Sequence, residues 1–289
     1  DNDCSFLSGW GLAMWRASEN IITRNAFDFC IRGYSHDTYN RGQDSAGILM
    51  FEQCIRNIIA ENSATHGGDG LFAFSGSEAL GQTNPRDDLD WYARRGNRGN
   101  RILNNDFSWA AAHGLELTFG FNNEIAGNTL VGNAICGIWG GYSQDTLIVD
   151  NTITDNGDMP YGLERGGINI EHGRGNRIER NTFRRNACAI HLWHDDDPGL
   201  AALPWWQANG TRNDPTVIFG NTFDEDQVGI ELRGDVFVLH DEPDLASVAT
   251  PRRVGDEARF IQLDHEPRPH TVSDYLVYGE NRPIGRRRA

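Results

Sequence analysis

Asn20-Ile21-Ile22-Thr23-Arg24-Asn25 is the stretch that decides the fold, because it returns along the chain in register. Its copies are residues 57–62, 100–105, 123–128, 146–151, 176–181 and 216–221. Every copy closes on Asn, at 25, 62, 105, 128, 151, 181 and 221, and carries Ile at its third position, at 22, 59, 102, 125, 148, 178 and 218. Two residues beyond each closing Asn stands a further apolar side chain: Phe27, Ala64, Phe107, Leu130, Ile153, Phe183 and Phe223. Self-similarity at a period in the twenties marks a solenoid, whose repeats bury their apolar faces only against one another.

Single apolar residues between polar ones, rich in Ile, Val, Thr and Phe, predict short strands and no helical period. An inward Asn at the same bend of each coil can hydrogen-bond through its amide to the Asn above and below, giving a ladder. A second strand signal precedes each pair of short strands: GLAMW from Gly11, GILMF from Gly47, GLFAF from Gly70, GLELT from Gly114, GIWGG from Gly137, GINIE from Gly167, AIHLW from Ala189 and GIELR from Gly229. The expected fold is therefore an all-β, single-stranded solenoid of about eight coils, each with one longer and two shorter strands. Over residues 2–234 these repeats resemble the right-handed parallel β-helix superfamily, which includes pectate lyases, polygalacturonases, alginate epimerases and NosD-like periplasmic proteins. The resemblance implies the fold; chemistry has to be argued from the site.

The continuous columns predict one elongated domain over residues 1–240, with residues 241–289 as a cap fragment or linker. No apolar run approaches the length of a membrane span and no leader pattern is visible. The opening residues read as the middle of a coil, so further sequence is expected upstream. The net charge of −15 excludes a nucleic-acid partner, which demands a basic face. Lysine is absent, so all 26 basic residues are Arg and lysine-based chemistry is excluded. The five cysteines show no metal spacing. Cys136 and Cys188 fall at equivalent places two coils apart, about 10 Å at the usual strand separation, too far for a disulfide.

Function in such a scaffold comes from departures from the repeat. The closing asparagines lie 37, 43, 23, 23, 30 and 40 residues apart, so a bare coil has 23 residues. The excess falls at residues 33–46, 75–99, 157–165 and 195–212, all bordering the long strands, two on each edge. Insertions of that size in a compact fold are usually functional. They would wall a groove floored by the outward side of the long-strand sheet.

Alternation places Ala13, Trp15, Leu49, Phe51, Phe72 and Phe74 outward in the first three coils, where the insertions at 33–46 and 75–99 are expected to cover them. From the fourth coil the outward residues become Glu116, Trp139, Asn169, Glu171, His191 and Trp193. Tyr142, His172 and His194 follow the strands; Asp69 and His113 precede them, with His66 in the turn before and Arg165 closing an insertion. Aromatic faces suit sugar rings, and carboxylates and imidazoles suit hydroxyl binding and proton transfer. A lone His at a turn usually only hydrogen-bonds that turn, but a cluster across adjacent coils favours chemistry. We read Glu116, Glu171, His172, His113 and Tyr142 as catalytic. Trp139, Asn169, His191, Trp193, His194, Asp69, His66 and Arg165 are read as substrate-binding. Trp205 and Trp206 suit loop anchors and a sugar platform equally.

The polygalacturonase set matches only at His113-Gly114, and the epimerase Asp-Pro-His-Asp signature is absent, so no family catalytic set transfers. Glu116 and Glu171, two coils apart, could close to the roughly 6.5–9.5 Å of an inverting glycosidase pair. The expectation is a carbohydrate-active enzyme acting on a polysaccharide or oligosaccharide outside the cell or in the periplasm, a glycoside hydrolase ahead of a lyase or uronate epimerase using His and Tyr. No cofactor or metal is expected, Ca2+ being the one ion held open. The rival is a non-catalytic NosD-like module with His66, His113, His172, His191 and His194 as ligands, against which the three methionines, two of them inward, argue.

Overall fold

The computed structural model describes residues 1–32, 45–211 and 214–265. Within them the chain winds through two parallel sheets of nine strands and a third of four. The long-strand sheet runs in the order Trp10–Trp15, Ala46–Phe51, Asp69–Phe74, His113–Thr118, Cys136–Trp139, Gly166–Glu171, Ile190–Trp193, Val228–Arg233 and Thr250–Val254. The second begins at Ile21–Thr23 and ends at Arg259–Gln262, and the third comprises Thr129–Val131, Thr152–Thr154, Thr182–Arg184 and Thr222–Asp224. This is the right-handed parallel β-helix that the repeats lead one to expect. Both main sheets run past residue 240, through Thr250–Val254 and Arg259–Gln262. That coil shows no pentad because its side chains are largely exposed and little constrained by packing.

The inward columns are continuous. Ile59, Ile102, Ile125, Ile148, Ile178 and Ile218 are buried in one core with Ile48, Leu71, Leu115, Ile138, Ile168, Ile190 and Ile230 of the long strands. The bends between the short strands are held by the amide ladder: Asn62 Nδ2 donates to Asn105 Oδ1 at 3.0 Å, Asn105 to Asn128 at 3.0 Å, Asn128 to Asn151 at 3.0 Å, and Asn151 to Asn181 at 2.9 Å. A parallel ladder joins Asn20, Asn57, Asn100 and Asn123. A third, which the pentad alignment does not reveal, links Asn133, Asn156 and Asn186 and ends on a carboxylate, Asp226.

The Gly that opens most long-strand signals has a packing cause. A Cβ on Gly70 would meet the Gly114 carbonyl oxygen at 2.4 Å and Phe107 Cβ at 2.9 Å, so any larger residue would push adjacent coils apart. All five cysteines are free, and Cys30, Cys54, Cys136 and Cys188 are buried. Burial pushes the Cys188 thiol up to about 12, as suits an inert packing residue.

Two insertions build a single wall at the downstream edge of the long-strand sheet. Residues 75–99 contribute a helical turn, Ser77–Leu80, and a 3₁₀ turn, Leu89–Tyr92; residues 195–211 contribute Pro198–Ala201 and Pro204–Asn209. Trp205, fully buried, packs edge-on against Phe119 and donates its indole N–H to the Arg95 carbonyl at 3.2 Å. Asn209 ties the two insertions twice, accepting from Arg94 N at 2.7 Å and donating to Tyr92 O at 3.0 Å. Trp205 is thus an anchor. Leu80 shares this cluster with Phe74, Phe119 and Phe121, so residues 75–99 do pack on the apolar floor. Leu49 and Phe72 are buried, Phe51 is half-buried, and Trp15 remains 61% exposed. Residues 33–44, expected to share that cover, lie outside the described residues.

Candidate functional site

The outward column of the sheet reads Ala13, Leu49, Phe72, Glu116, Trp139, Asn169, His191, Glu231 and Arg253 in strand register. Glu171 belongs to the neighbouring column, paired with Trp193. Glu116 and Glu171 therefore lie two strands apart and two residues out of line. The expected catalytic pair is in this respect corrected: the two carboxylates belong to separate groups.

The first group gathers at the upstream edge. His113, fully buried, places Nε2 3.9 Å from Glu116 and 3.5 Å from Glu164, a residue brought in by the insertion at 157–165. Its backbone N–H donates to Asp69 Oδ1 at 2.8 Å, and its ring stacks 5.6 Å from Trp139. Asp69, His113 and Glu116 present ligand atoms within 4.8 Å of one another.

Next along the column the side chains are committed to the same insertion, which covers them. Asn169 donates to the Leu163 carbonyl at 2.8 Å, meets His191 Nδ1 at 3.0 Å and accepts from Trp193 Nε1 at 2.9 Å. Arg165 is ion-paired with Glu231, which Arg253 also approaches at 3.5 Å. Asn169 and His191 are fully buried, and burial lowers His191 to about 4, so it is neutral at physiological pH. Asn169, His191 and Arg165, expected to line a substrate floor, instead fasten the insertion to the sheet, and Trp193, expected there too, braces Asn169. The reason is that residues 157–165 lie over the column they were expected to flank.

The second group forms at the downstream edge, against the wall. Glu171 is the last residue of Gly166–Glu171 and faces outward; the next residue, His172, turns the corner with a left-handed backbone, φ 49°, as Tyr142 does one coil earlier, φ 62°. Left-handed corners in register line up side chains coil after coil. Phe119, Tyr142, His172 and His194 form a ring stack with centroid separations of 4.3, 5.7 and 3.8 Å. His172, buried, meets Asp195 Oδ1 through Nε2 at 2.8 Å and Thr211 Oγ1 through Nδ1 at 3.5 Å. Thr211 also lies 3.3 Å from His194 Nε2 and accepts from the Trp206 indole at 3.3 Å. Glu171, His172 and Asp195 offer ligand atoms within 4.8 Å of one another, two oxygens and one imidazole nitrogen that could also hold a cation.

Charges in this group are unevenly distributed. Burial, reinforced by the Asp195 carboxylate, pushes Glu171 up to about 8, although a hydrogen bond from Tyr142 works the other way. Glu171 is therefore a protonated acid at neutral pH. Burial raises the Tyr142 phenol well above its usual range, and the Glu171 carboxylate adds to this, so Tyr142 is a donor and not a base. Asp195 is exposed on the first residues of the insertion, and Asp197 accepts from Leu200 N at 2.9 Å as the cap of the short helix that follows.

Of the expected site residues, Glu171, His172, Tyr142 and His194 converge here. His113, Glu116, Asp69 and Trp139 make the upstream group. His66 belongs to neither: it is exposed at the turn before the sheet, stacked 4.7 Å from Phe29. Sequence reasoning missed Asp195, Thr211 and Glu164, all supplied by insertions, where no column fixes a residue's direction. The Asp197-Pro198 helix start is the one local signal that pointed there.

A family model described as the right handed beta helix region matches residues 91–200. No curated protein matches the chain. Among solved structures it is similar to the Streptococcus pneumoniae surface protein and adhesin PfbA, with 10% sequence identity and a TM-score of 0.41. The likeness covers 89% of this chain and 61% of that one, so the chain spans less than two thirds of that protein's length. The stacked coils, with this match over residues 91–200, show that the chain has the right-handed parallel β-helix fold.

Proposed function

We propose that the chain is a carbohydrate-active β-helix enzyme, a glycoside hydrolase whose site is the downstream group of Glu171, Tyr142, His172 and Asp195. The observation that carries this reading is the juxtaposition of a half-buried, protonated Glu171 with the exposed Asp195, their oxygens within 4.8 Å. Two carboxyl groups whose environments separate their proton affinities are the requirement for dividing acid and base roles. Glu171 gives its proton to the glycosidic oxygen as the bond to the anomeric carbon breaks. Asp195, oriented by His172, supplies the oxygen that bonds to that carbon. Water then displaces Asp195, and Glu171 takes the water's proton. The close spacing favours this two-step course, typical of carboxyls about 5–5.5 Å apart, over single displacement across about 6.5–9.5 Å.

The Trp206 side of the wall and the Tyr142 edge provide apolar surface for a sugar ring. Elimination is less well supported, since Tyr142 is held protonated and the surrounding Asp195, Asp197 and Glu164 repel a uronate carboxylate. A metal-delivery role is also less well supported: of the five candidate His ligands, only the rings of His172 and His194 meet, at 3.8 Å. No cofactor enters the proposal, and an extracellular or periplasmic location, where polysaccharides are met, belongs to it.

The test is Glu171→Gln. It should lower turnover by about a hundred- to ten-thousand-fold with sugar affinity and folding retained. Glu116→Gln should leave most turnover. A fully active Glu171→Gln protein would contradict the assignment.

A further inference from the structure

The outer corners of a β-helix are solvated positions, and here two of the four columns of left-handed corner residues are polar along their length. One carries Arg24, Glu61, Asn104, Asp150 and Arg180; a second carries Glu19, Arg56, Asn122 and Asp145. A third turns aromatic at Phe119, Tyr142 and His172, where its rings pack against the wall. The fourth begins Phe6, Phe29, His66, Trp109, with φ of 59°, 57°, 56° and 62°. Bulky side chains are disfavoured in this backbone region and cost of order 1–2 kcal/mol each, a strain that points toward a role. Burial cannot be the reason, because Phe6 is 76%, Phe29 43% and Trp109 53% exposed. Further along, the same column turns to Asp155 and Arg185, an ordinary surface ion pair at 2.7 Å.

The four rings are stacked into one ridge along the solenoid axis, with centroids 4.9, 4.7 and 6.3 Å apart and planes within 26° of parallel. The ridge ends where Trp109 lies over Gly132; a Cβ there would meet the indole at 2.3 Å. Beside the ridge, on the face of the third turn of each coil, runs a row of hydroxyls and a carboxylate: Asp28 Oδ1 accepts from Ser63 Oγ at 2.6 Å and Thr65 Oγ1 at 2.9 Å. Beyond that row the face opens into a groove of about 880 Å3 lined by Asp3, Glu61, Ser63, Asn104 and Asp106. Its other rim carries Arg24, paired with Asp1 at 3.5 Å.

From this arrangement we infer a second glycan-binding surface, separate from the site at Glu171, on which a neutral polysaccharide chain lies along the solenoid axis between the Phe6–Phe29–His66–Trp109 ridge and the acidic groove. A linear sugar polymer presents C–H groups and hydroxyls, which can pack along the exposed edges of the stacked rings and meet the hydroxyl and carboxylate acceptors beside them. Anionic polymers are disfavoured, because the carboxylates of Asp3, Glu61 and Asp106 line the groove beyond the Arg24–Asp1 pair. The surface would hold the enzyme on its polymer while the distant site acts.

The experiment is affinity electrophoresis of the full chain in gels containing hydroxyethyl cellulose, galactomannan or a soluble β-1,3-glucan, with polygalacturonate as the anionic control. At least one neutral polymer should retard the protein and polygalacturonate should not. Trp109→Ala and Phe29→Ala, both surface changes expected to leave thermal stability intact, should each weaken retardation about tenfold or more. Asp106→Arg, which places a long side chain in the groove, should do the same, whereas Glu171→Gln should leave retardation unchanged. Because the readout is binding, it stands whether or not the chain proves to be a hydrolase. Absence of retardation by every neutral polymer, or retardation indifferent to the Trp109, Phe29 and Asp106 variants, overturns the inference. So does a fall in sedimenting mass on Trp109→Ala, which would make the ridge a contact between two copies of the chain.

Discussion

Asp226→Asn should stabilise the protein at neutral pH, and by an amount that can be worked out. In the third ladder each side-chain amide has two jobs: its oxygen accepts from the Asn before it, and its N–H donates to a carbonyl of an earlier coil. Asn156 donates to Leu130 O at 3.0 Å and Asn186 to Ile153 O at 2.9 Å. Asp226 performs the first job, accepting from Asn186 N at 2.8 Å and Asn186 Nδ2 at 2.9 Å. The same offset would aim its second oxygen at the carbonyl of Phe183, an acceptor against an acceptor. That oxygen, Oδ2, is buried without a hydrogen-bond partner among the described residues. Burial accordingly pushes Asp226 up from 3.8 to about 6. Since the folded state holds this proton more tightly than the unfolded state, it binds more protons between about pH 4 and 6, and stability falls as pH rises through that window. A displacement of about two pH units corresponds to about 3 kcal/mol at pH 7, an upper bound once the site relaxes. Asn removes that cost and restores the missing donor. Urea denaturation followed by tryptophan fluorescence should show the variant more stable by about 2–3 kcal/mol at pH 7, the gain shrinking toward the roughly 1 kcal/mol of one hydrogen bond at pH 4. No gain at pH 7, or the same gain at both pH values, would refute the reasoning.

Ile148, buried between Ile125 and Ile178, is the counterpart in the apolar column: Ile148→Asp should cost several kcal/mol and lower the melting temperature sharply, and an unchanged melt would contradict the inward assignment. Trp205→Ala should remove about 3–5 kcal/mol of packing from the joint between the two insertions. The cut should show first as proteolysis within residues 195–211 and loss of turnover, with the solenoid's far-ultraviolet circular dichroism intact. Under the proposed hydrolase reading, turnover by the unmodified protein should fall as pH rises through about 8, where Glu171 loses the proton it must donate; a rate that is flat from pH 7 to 10 would remove Glu171 from the acid role.

The coils were legible in the sequence because burial is periodic: every inward Ile and ladder Asn answers to the same surroundings in the next coil, so the residues repeat. The third ladder was harder to read, since it begins only at Asn133 and closes on an Asp. For the site, alternation along a strand sufficed to turn Glu171 outward and Glu116 with it. It could not show that residues 157–165 fold over Asn169 and His191, nor that Asp195 comes back to His172. Insertions have no neighbouring copy to align with, and their direction is set by non-local contacts such as Trp205 on Phe119.

The central claim is that the group at Glu171 hydrolyses glycosidic bonds. Incubating the protein with neutral, amino-sugar and uronate polysaccharides, while following both reducing ends and the absorbance of unsaturated products, tests it most directly. We predict reducing ends from a neutral or amino-sugar polymer, no unsaturated product, and loss of this activity in Glu171→Gln. Unsaturated product from a uronate polymer, with Glu171→Gln still active, would contradict the account.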